Sequence, residues 1–317
     1  MLMHQQTIGA RIDFNGVGVH SGNPVQLSLV PAEAGTGVIF HVFTAGRTLP
    51  HEIKALSSNV PATDLSTIVG DLRGVHVATI EHLMAALYAM GVDNVIVEID
   101  SNEVPIMDGC SAAFVEAIES VGLSRQSAKR RYIRVLKPVR VEVGHAYAEY
   151  RPHEGTRFEV EIDFASPTIG RQVFAGDLSP ALFRDELARA RTFGFMKDVE
   201  RLWASGHALG SSLENSVVIG HDDRIINSDG LRFVDEFVRH KALDAVGDQA
   251  LGGARILGCY RSYRGGHKVN ALALQALLAD HTAYEIVEVP TRRRDIARHS
   301  PLITAAVAAP AYGPQTL

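Results

Sequence analysis

Apolar and polar positions along the chain follow two periods. The stretches "TIGARIDFNGVGVHSG", "PVQLSLVPA" and "GVIFHVF" alternate, which predicts β-strands, and Gly16, Gly18 and Gly22 punctuate the first of them as turns. "HVATIEHLMAALYAMGVDN" changes to helical spacing. Leu83, Ala86, Leu87 and Met90 repeat on one face, Thr79 suits the N-cap and Gly91 suits the stop. "NVIVEID" at 94–100 predicts a strand, and "CSAAFVEAIESVGL" a second helix ended at Gly122.

The polar run "SRQSAKRR" at 124–131 predicts a linker, with Lys129, Arg130 and Arg131 on a solvated face. The order then repeats. Strands come first, in "YIRVLKPVRVEVG", "AYAEYRP" and "RFEVEIDF"; helical pieces come after them at 180–190, 196–205 and 230–249. A strand in "ARILGCYRSYRG" and a helix in "NALALQALLADH" close the pattern. Laying "EHLMAALYAMGVDN" over "RHKALDAVGDQALG" puts His82 on His240, which points to two similar modules meeting at a shared seam. The expected fold is therefore α+β, in two similar domains at 1–126 and 127–300, with a flexible Ala- and Pro-rich tail at 301–317.

Composition narrows the chemistry. A chain of 317 residues has a prior of two domains at roughly 150 residues each. With 46% apolar and 21% charged residues it can bury a core. Its net charge of -5 gives no basic surface for nucleic acid. Cys110 and Cys259 are the only cysteines, too few for a disulfide framework or a thiolate zinc site. Any metal therefore falls to histidine and carboxylate, and histidine is frequent, at 14. The start shows no signal-peptide pattern and no run approaches a membrane span, so a reduced, cytoplasmic protein is expected.

In "FVRHKALDAVGD", His240, Asp244 and Asp248 recur every four residues. At about 100° per residue they share an arc of about 80° of a helix. The stripe has two readings: a solvated face, or ligands closing on one ion, since His and Asp at i and i+4 reach a common metal. Glu81 and His82 open the helix in "TIEHLMAAL", where the N-terminus favours an anion and a neutral histidine. Without a histidine at position 86, a metal at His82 needs ligands from elsewhere; His240 and Asp244 would complete a three-ligand site with one open position. In "YRGGHKVN", His267 comes after two glycines and is either a solvent-facing loop residue or a proton donor in a cleft. In "ARTFGFM", Thr192 offers a hydroxyl, and Phe193 and Phe195 form either core or an apolar wall.

At these residues the chain resembles the UDP-3-O-acyl-N-acetylglucosamine deacetylases, the zinc enzymes of the committed step of lipid A synthesis. The matching stretches are "GVGVHSG", "TDLSTIV", "TIEHLMAAL", "DNVIVEID", "PIMDG", "RTFGF", "DGLRFVDEFVRHKALDAVGD" and "GGHKVN", in family order over residues 5–300. The resemblance implies Zn²⁺ on His82, His240 and Asp244, with Glu81 as general base and His267 as general acid. It implies that Asp248 orients His267 or tunes its charge, that Thr192 donates to the oxyanion and that Lys241 contacts the substrate. Phe193 and Leu65 are candidates for an acyl passage, Arg264 for the diphosphate and His20 for the sugar, a turn-stabilising role being the alternative for His20. The fold implied is two similar α+β domains with the site between them, shaped by small β insertions at "TDLST" and 196–218. Ser66 stands where some relatives carry Cys, and Arg264 where some carry Lys. The partner implied is a UDP-acyl-sugar, and a monomer is expected. An ionised Glu81 with a charged His267 predicts a bell-shaped rate against pH.

Overall fold

The structure, a computed structural model, describes residues 3–288, so the tail expected at 301–317 lies outside the described residues. The N-terminal part runs β1 (His4–Ile8), β2 (Ile12–Val17), β3 (Pro24–Pro31), β4 (Val38–Val42), β5 (His51–Lys54), β6 (Val69–Gly70), β7 (His76–Val77), α1 (Glu81–Met90), β8 (Val95–Ile99), α2 (Ala112–Val121) and β9 (Leu123–Lys129). Its main sheet has the order β2-β3-β8-β4-β5, with β4 parallel to β8 and the other pairs antiparallel. Alternation builds it as expected: on β3, Val25, Leu27 and Leu29 are buried while Pro24 and Gln26 are exposed. Helix α2 seats Phe114 edge-on against Phe14 of β2, with ring centroids 5.0 Å apart.

The second part runs β10 (Arg131–Val135), β11 (Val139–Val143), β12 (Ala146–Arg151), β13 (Thr156–Asp163), β14 (Arg171–Asp177) and α3 (Pro180–Leu182), which passes into a π-helical turn at Phe183–Leu187. It continues with β15 (Phe193–Phe195), α4 (Met196–Ala204), β16 (Val217–Ile219), α5 (Glu236–Gln249), β17 (Arg255–Tyr263), α6 (His267–Ala279) and β18 (Tyr284–Glu288). A seven-stranded sheet forms around β17, which pairs parallel with β10 and β13 and antiparallel with β12. Helix α5 packs on β13 and β14, and α6 on β11 and β12. The fold is α+β, helices layered against sheets.

The helices α1 and α5 pack closely on each other. Every residue of α1 is buried, and in α5 only Arg239 and Lys241 are not fully so. Their backbones approach so closely at Gly247 that a Cβ there would lie 2.0 Å from the Glu81 carbonyl oxygen. Glycine is required at that point by space alone.

Several local expectations are corrected. The polar run at 124–131 is no loop linker. It contains β9, which pairs antiparallel with β1 and passes unbroken through 126/127. Arg130 is buried rather than solvated: its Nε donates to Asp93 Oδ2 at 2.9 Å and its Nη2 to the Gly91 carbonyl at 2.7 Å. A cation there answers the carbonyls that end α1. Thr79 does not cap α1. It takes φ +57°, its hydroxyl donates to Glu103 Oε1 at 3.0 Å, and the N-cap position is Ile80, without a side-chain bond. A β-branched residue in the left-handed region is strained, as segments beside active sites often are. Gly91 does end α1, at φ +99°. Helix α5 starts at Glu236, later than the reading from 230, and α6 starts at His267, earlier than the reading from Asn270.

Candidate active site

The N-terminus of α1, the middle of α5 and the first residue of α6 converge on one cleft of about 520 Å³. His82 enters from the first turn of α1, with its carbonyl accepting from the buried Ser111 hydroxyl at 2.8 Å. His240 enters from α5, and its ring meets that of His82 edge-on with centroids 5.0 Å apart. One turn on, Asp244 Oδ1 lies 3.3 Å from His240 Nε2 and 3.6 Å from His82 Nε2. All three side chains are buried, and their donor atoms lie within 4.8 Å of one another. His82 and His240 are far apart in sequence, and the α1–α5 packing closes that gap; an i,i+4 pair on one helix cannot supply a third ligand alone.

These residues fit a metal. Asp244 Oδ1 is buried and has no hydrogen-bond partner, a costly state unless something cationic meets it. Tetrahedral ligation with bonds of about 2.0–2.1 Å places ligand atoms about 3.3 Å apart, close to the spacing of Oδ1 and the two Nε2 atoms. His240 Nδ1 faces the Ala190 carbonyl at 3.0 Å, which fixes the tautomer with its lone pair on Nε2. Burial drives the His240 pKa down to about 3 against the pull of Asp244, so the ring is neutral and able to ligate. Burial acts to raise the Asp244 carboxyl, but with His240 neutral it is the Lys241 ammonium at 2.9 Å, helped by His267, that prevails and holds it well below its ordinary range. Two imidazoles and one carboxylate suit Zn²⁺.

Glu81 and His267 face each other beside this triad. His267 Nε2 lies 3.8 Å from Glu81 Oε1 and 4.0 Å from Asp244 Oδ2. Glu81 Oε2 accepts the Thr67 amide at 3.0 Å. Burial raises the Glu81 pKa, with His267 and His82 acting against it. For His267, burial favours the neutral ring, but Asp248 and Glu81 outweigh it and raise the pKa to about 9. Asp248 Oδ2 sits 3.0 Å from His267 Nδ1. Asp248 is itself held by Thr67 Oγ1 at 2.5 Å and by Asn270 Nδ2 at 2.7 Å. His267 is thus not a loop residue. It opens α6, with its ring turned inward onto a buried carboxylate.

The sequence profile of the UDP-3-O-acyl N-acetylglycosamine deacetylases matches residues 5–279. Curated proteins called UDP-3-O-acyl-N-acetylglucosamine deacetylase, from Brucella ovis, Brucella canis and Brucella melitensis biotype 2, are each 57% identical over 288 residues, covering 91% of this chain and 100% of theirs. The chain belongs to this deacetylase family. It is an enzyme of that family, and no helix among the described residues is long and apolar enough to cross a membrane.

Lys241, Phe193, Thr192, Leu65, Arg264 and His20 line the deacetylase cleft, by different means, whereas Phe195 and Ser66 do not. Lys241 Nζ bonds Asp244 Oδ2 at 2.9 Å and lies 5.8 Å from the centre of the Phe193 ring. Phe193 is shared with the core, edge-on to Phe237 at 4.9 Å. Thr192 is pinned through its backbone, its amide donating to the Gly109 carbonyl at 2.8 Å. Leu65 is exposed at 45% and carries apolar surface into the cleft. Arg264 is tied to Asp163 Oδ2 at 2.8 Å and takes φ +50°. His20 divides its duties: its amide donates to Glu103 Oε1 at 2.9 Å and so fixes the turn, while its ring lines the cleft with Nδ1 unpaired. Ser66, in the place of Cys in some relatives, is buried, and its Oγ accepts the Thr79 amide at 3.3 Å.

The sequence reading missed Thr67, Asn270 and the Ala190 carbonyl. Thr67 and Asn270 lie inside the quoted stretches "TDLSTIV" and "GGHKVN", so the signal was present. It was hidden because the role of each depends on Asp248, far away in the chain. The pair Arg191–Glu236 was missed too. Arg191 Nε donates to Glu236 Oε1 at 2.9 Å, both groups buried, and ties the segment bearing Ala190 and Thr192 to the start of α5.

Proposed function

We propose that the chain hydrolyses the N-acetyl group of UDP-3-O-acyl-N-acetylglucosamine, giving the free amine and acetate, in lipid A biosynthesis. The observation that carries this is the juxtaposition of Glu81 and His267 beside the His82, His240 and Asp244 triad, in a chain 57% identical to proteins so called. His82, His240 and Asp244 hold Zn²⁺ in this reading. When bound, Zn²⁺ supplies a Lewis acid that polarises the acetyl carbonyl and makes the attacking water more acidic.

The chain's own groups then move the protons. Glu81, its carboxyl raised by burial, takes a proton from water as the oxygen attacks the carbonyl carbon. The Thr192 hydroxyl donates to the developing oxyanion, a contribution of typically about 10²–10³ for such a donor. His267 holds its proton on the ring against Asp248 and gives it to the amine as the C–N bond breaks. Asp248, clamped by Thr67 and Asn270, keeps the His267 ring from turning away. Lys241 contacts the substrate once it leaves Asp244. Leu65 and Phe193 border the acyl chain, Arg264 the diphosphate and His20 the sugar.

We read the chain as two units, the first supplying Glu81 and His82 and the second His240, Asp244 and His267, acting in the cytoplasm as a monomer. The test is acetate release by the zinc-loaded protein from UDP-linked acylated N-acetylglucosamine and from plain N-acetylglucosamine. Turnover is expected only with the first, abolished by a chelator and restored by Zn²⁺. Equal turnover of both sugars refutes the substrate assignment.

A further inference from the structure

The stretch "GVGVHSG" leaves β2 at Val17 and turns over at once, folded around one buried carboxylate. Glu103 is 2% exposed and takes no part in the proton path. Each of its oxygens accepts two hydrogen bonds. Oε1 takes the His20 amide at 2.9 Å and the Thr79 hydroxyl at 3.0 Å; Oε2 takes the Ser21 amide at 2.9 Å and the Ser21 hydroxyl at 2.7 Å. Gly18 closes the cradle, since a Cβ there would collide with Oε2. The Gly22 amide then returns to the Gly18 carbonyl at 2.9 Å.

Two sides of the cleft meet on this carboxylate. One is the turn, whose His20 ring lines the cleft. The other is Thr79, just ahead of Glu81 and His82 in the chain. Ala78 runs parallel beside Glu103: its amide donates to the Asn102 carbonyl at 2.9 Å, and its carbonyl accepts the Val104 amide at 3.0 Å. At Thr79 the chain must then swing into α1, and it does so at φ +57°. A β-branched residue keeps that conformation only where its surroundings over-determine it. Here they are the hydroxyl bond to Glu103 and the amide bond to Ser66 Oγ at 3.3 Å. The path by which α1 starts, and with it the placing of Glu81 and His82, therefore depends on where the Glu103 carboxylate sits.

We infer, on the deacetylase reading of the cleft, that Glu103 is a positioning residue for the reaction: it sets the spacing between the His20 edge of the cleft and the Glu81–His82 end of α1. A carboxylate suits this task because both of its oxygens are acceptors. An amide of the same shape does not. Whichever way it is turned, its NH₂ faces two donors. Misplacing a reacting group by about 1 Å can cost about 10²-fold in rate, so a bond remote from the chemistry is still felt in kcat.

The test is steady-state kinetics of the zinc-loaded, full-length protein, with amide hydrogen exchange on the same variants. Thr79→Val keeps the shape of the side chain and removes one bond to Glu103. It should lower kcat by about tenfold with KM little changed. Ser21→Ala loosens only the turn and should raise KM severalfold with kcat little changed. Glu103→Gln should show both effects. Adding Thr79→Val to it should cost no further kcat, since the hydroxyl then acts through a group already lost. Thr79→Val leaves the His20 and Ser21 amides their acceptor, so faster exchange of those two amides in that variant reads the coupling directly. It does so whether or not the protein turns over the UDP-linked sugar; a failure of the deacetylase reading shows instead in the unaltered protein. Unchanged kcat and unchanged exchange in Thr79→Val overturn the inference, and need no folded Glu103→Gln. So do losses of kcat that multiply in the double variant. A lower thermal midpoint in Glu103→Gln with kcat and KM unchanged makes Glu103 a structural group only, and overturns it too.

Discussion

Helices α1 and α5 are both buried along nearly their whole length, yet they are built on opposite plans. In α1, polar chemistry is confined to Glu81 and His82 in the first turn, and the rest of the helix is Leu, Met, Ala and Tyr. In α5, Glu236, His240, Asp244 and Asp248 recur every four residues through the helix and all are buried. The first helix is held by packing. The second is held by having those groups answered from outside it or from a neighbouring turn: Glu236 by Arg191, His240 by the Ala190 carbonyl, Asp244 by Lys241 through Oδ2, Asp248 by Thr67, Asn270 and His267. A buried polar stripe is stable only as a set, so its members also constrain one another's geometry.

That contrast can be broken at graded cost. The largest effect is expected from Glu81→Ala and His267→Ala, each lowering kcat by about 10²–10⁴ while the protein still retains Zn²⁺ by metal analysis. Near-normal turnover in either would remove that group from the proton path. Next is Asp248→Asn. Asp248 is the chief influence raising His267, so its removal lowers the His267 pKa, and the alkaline limb of kcat/KM should move to lower pH. An unmoved limb would mean another group sets it.

Gly247→Ala tests the packing rather than the chemistry. The added methyl meets the Glu81 carbonyl, so the helices must part, at a cost of about 1–3 kcal/mol read as a lower thermal midpoint, with a loss of kcat. Smallest is Thr67→Val, which removes the hydroxyl from Asp248 at roughly 0.5–1.5 kcal/mol. It should leave His267 less well oriented, lowering kcat several-fold with KM little changed.

The legibility of the sequence runs along the same divide. Helix α1 is readable because its apolar period continues to a glycine that stops it. The position of α5 is readable, but its burial is not: a helix with six charged or imidazole groups carries no local sign that their partners come from elsewhere. The family resemblance pointed to candidate ligands and proton-transfer groups, and the structure brings Glu81, His82, His240, Asp244 and His267 into one cleft. It could not supply Arg130, which reads as solvated because its acceptors, Asp93 and Gly91, lie far from it in the chain. Thr79 misleads for a related reason. Its hydroxyl has a stronger use on Glu103 than on the helix end. Strands β14 and β18 were not foreseen, since each is defined by a neighbour rather than by its own pattern.

The parallel pairing of β15 with β16 has a consequence for the wall of the cleft. Phe193 pairs with Val217 and Phe195 with Ile219, so the two ends of the intervening chain are anchored side by side while the chain between them crosses over. That crossover carries α4 and sets Leu202 on the cleft wall. The same crossover donates the Leu209 and Gly210 amides to the carbonyls of His20 and Val19, at 3.1 and 3.0 Å, so a single strut of chain fastens the cleft wall at Leu202 to the turn that carries His20.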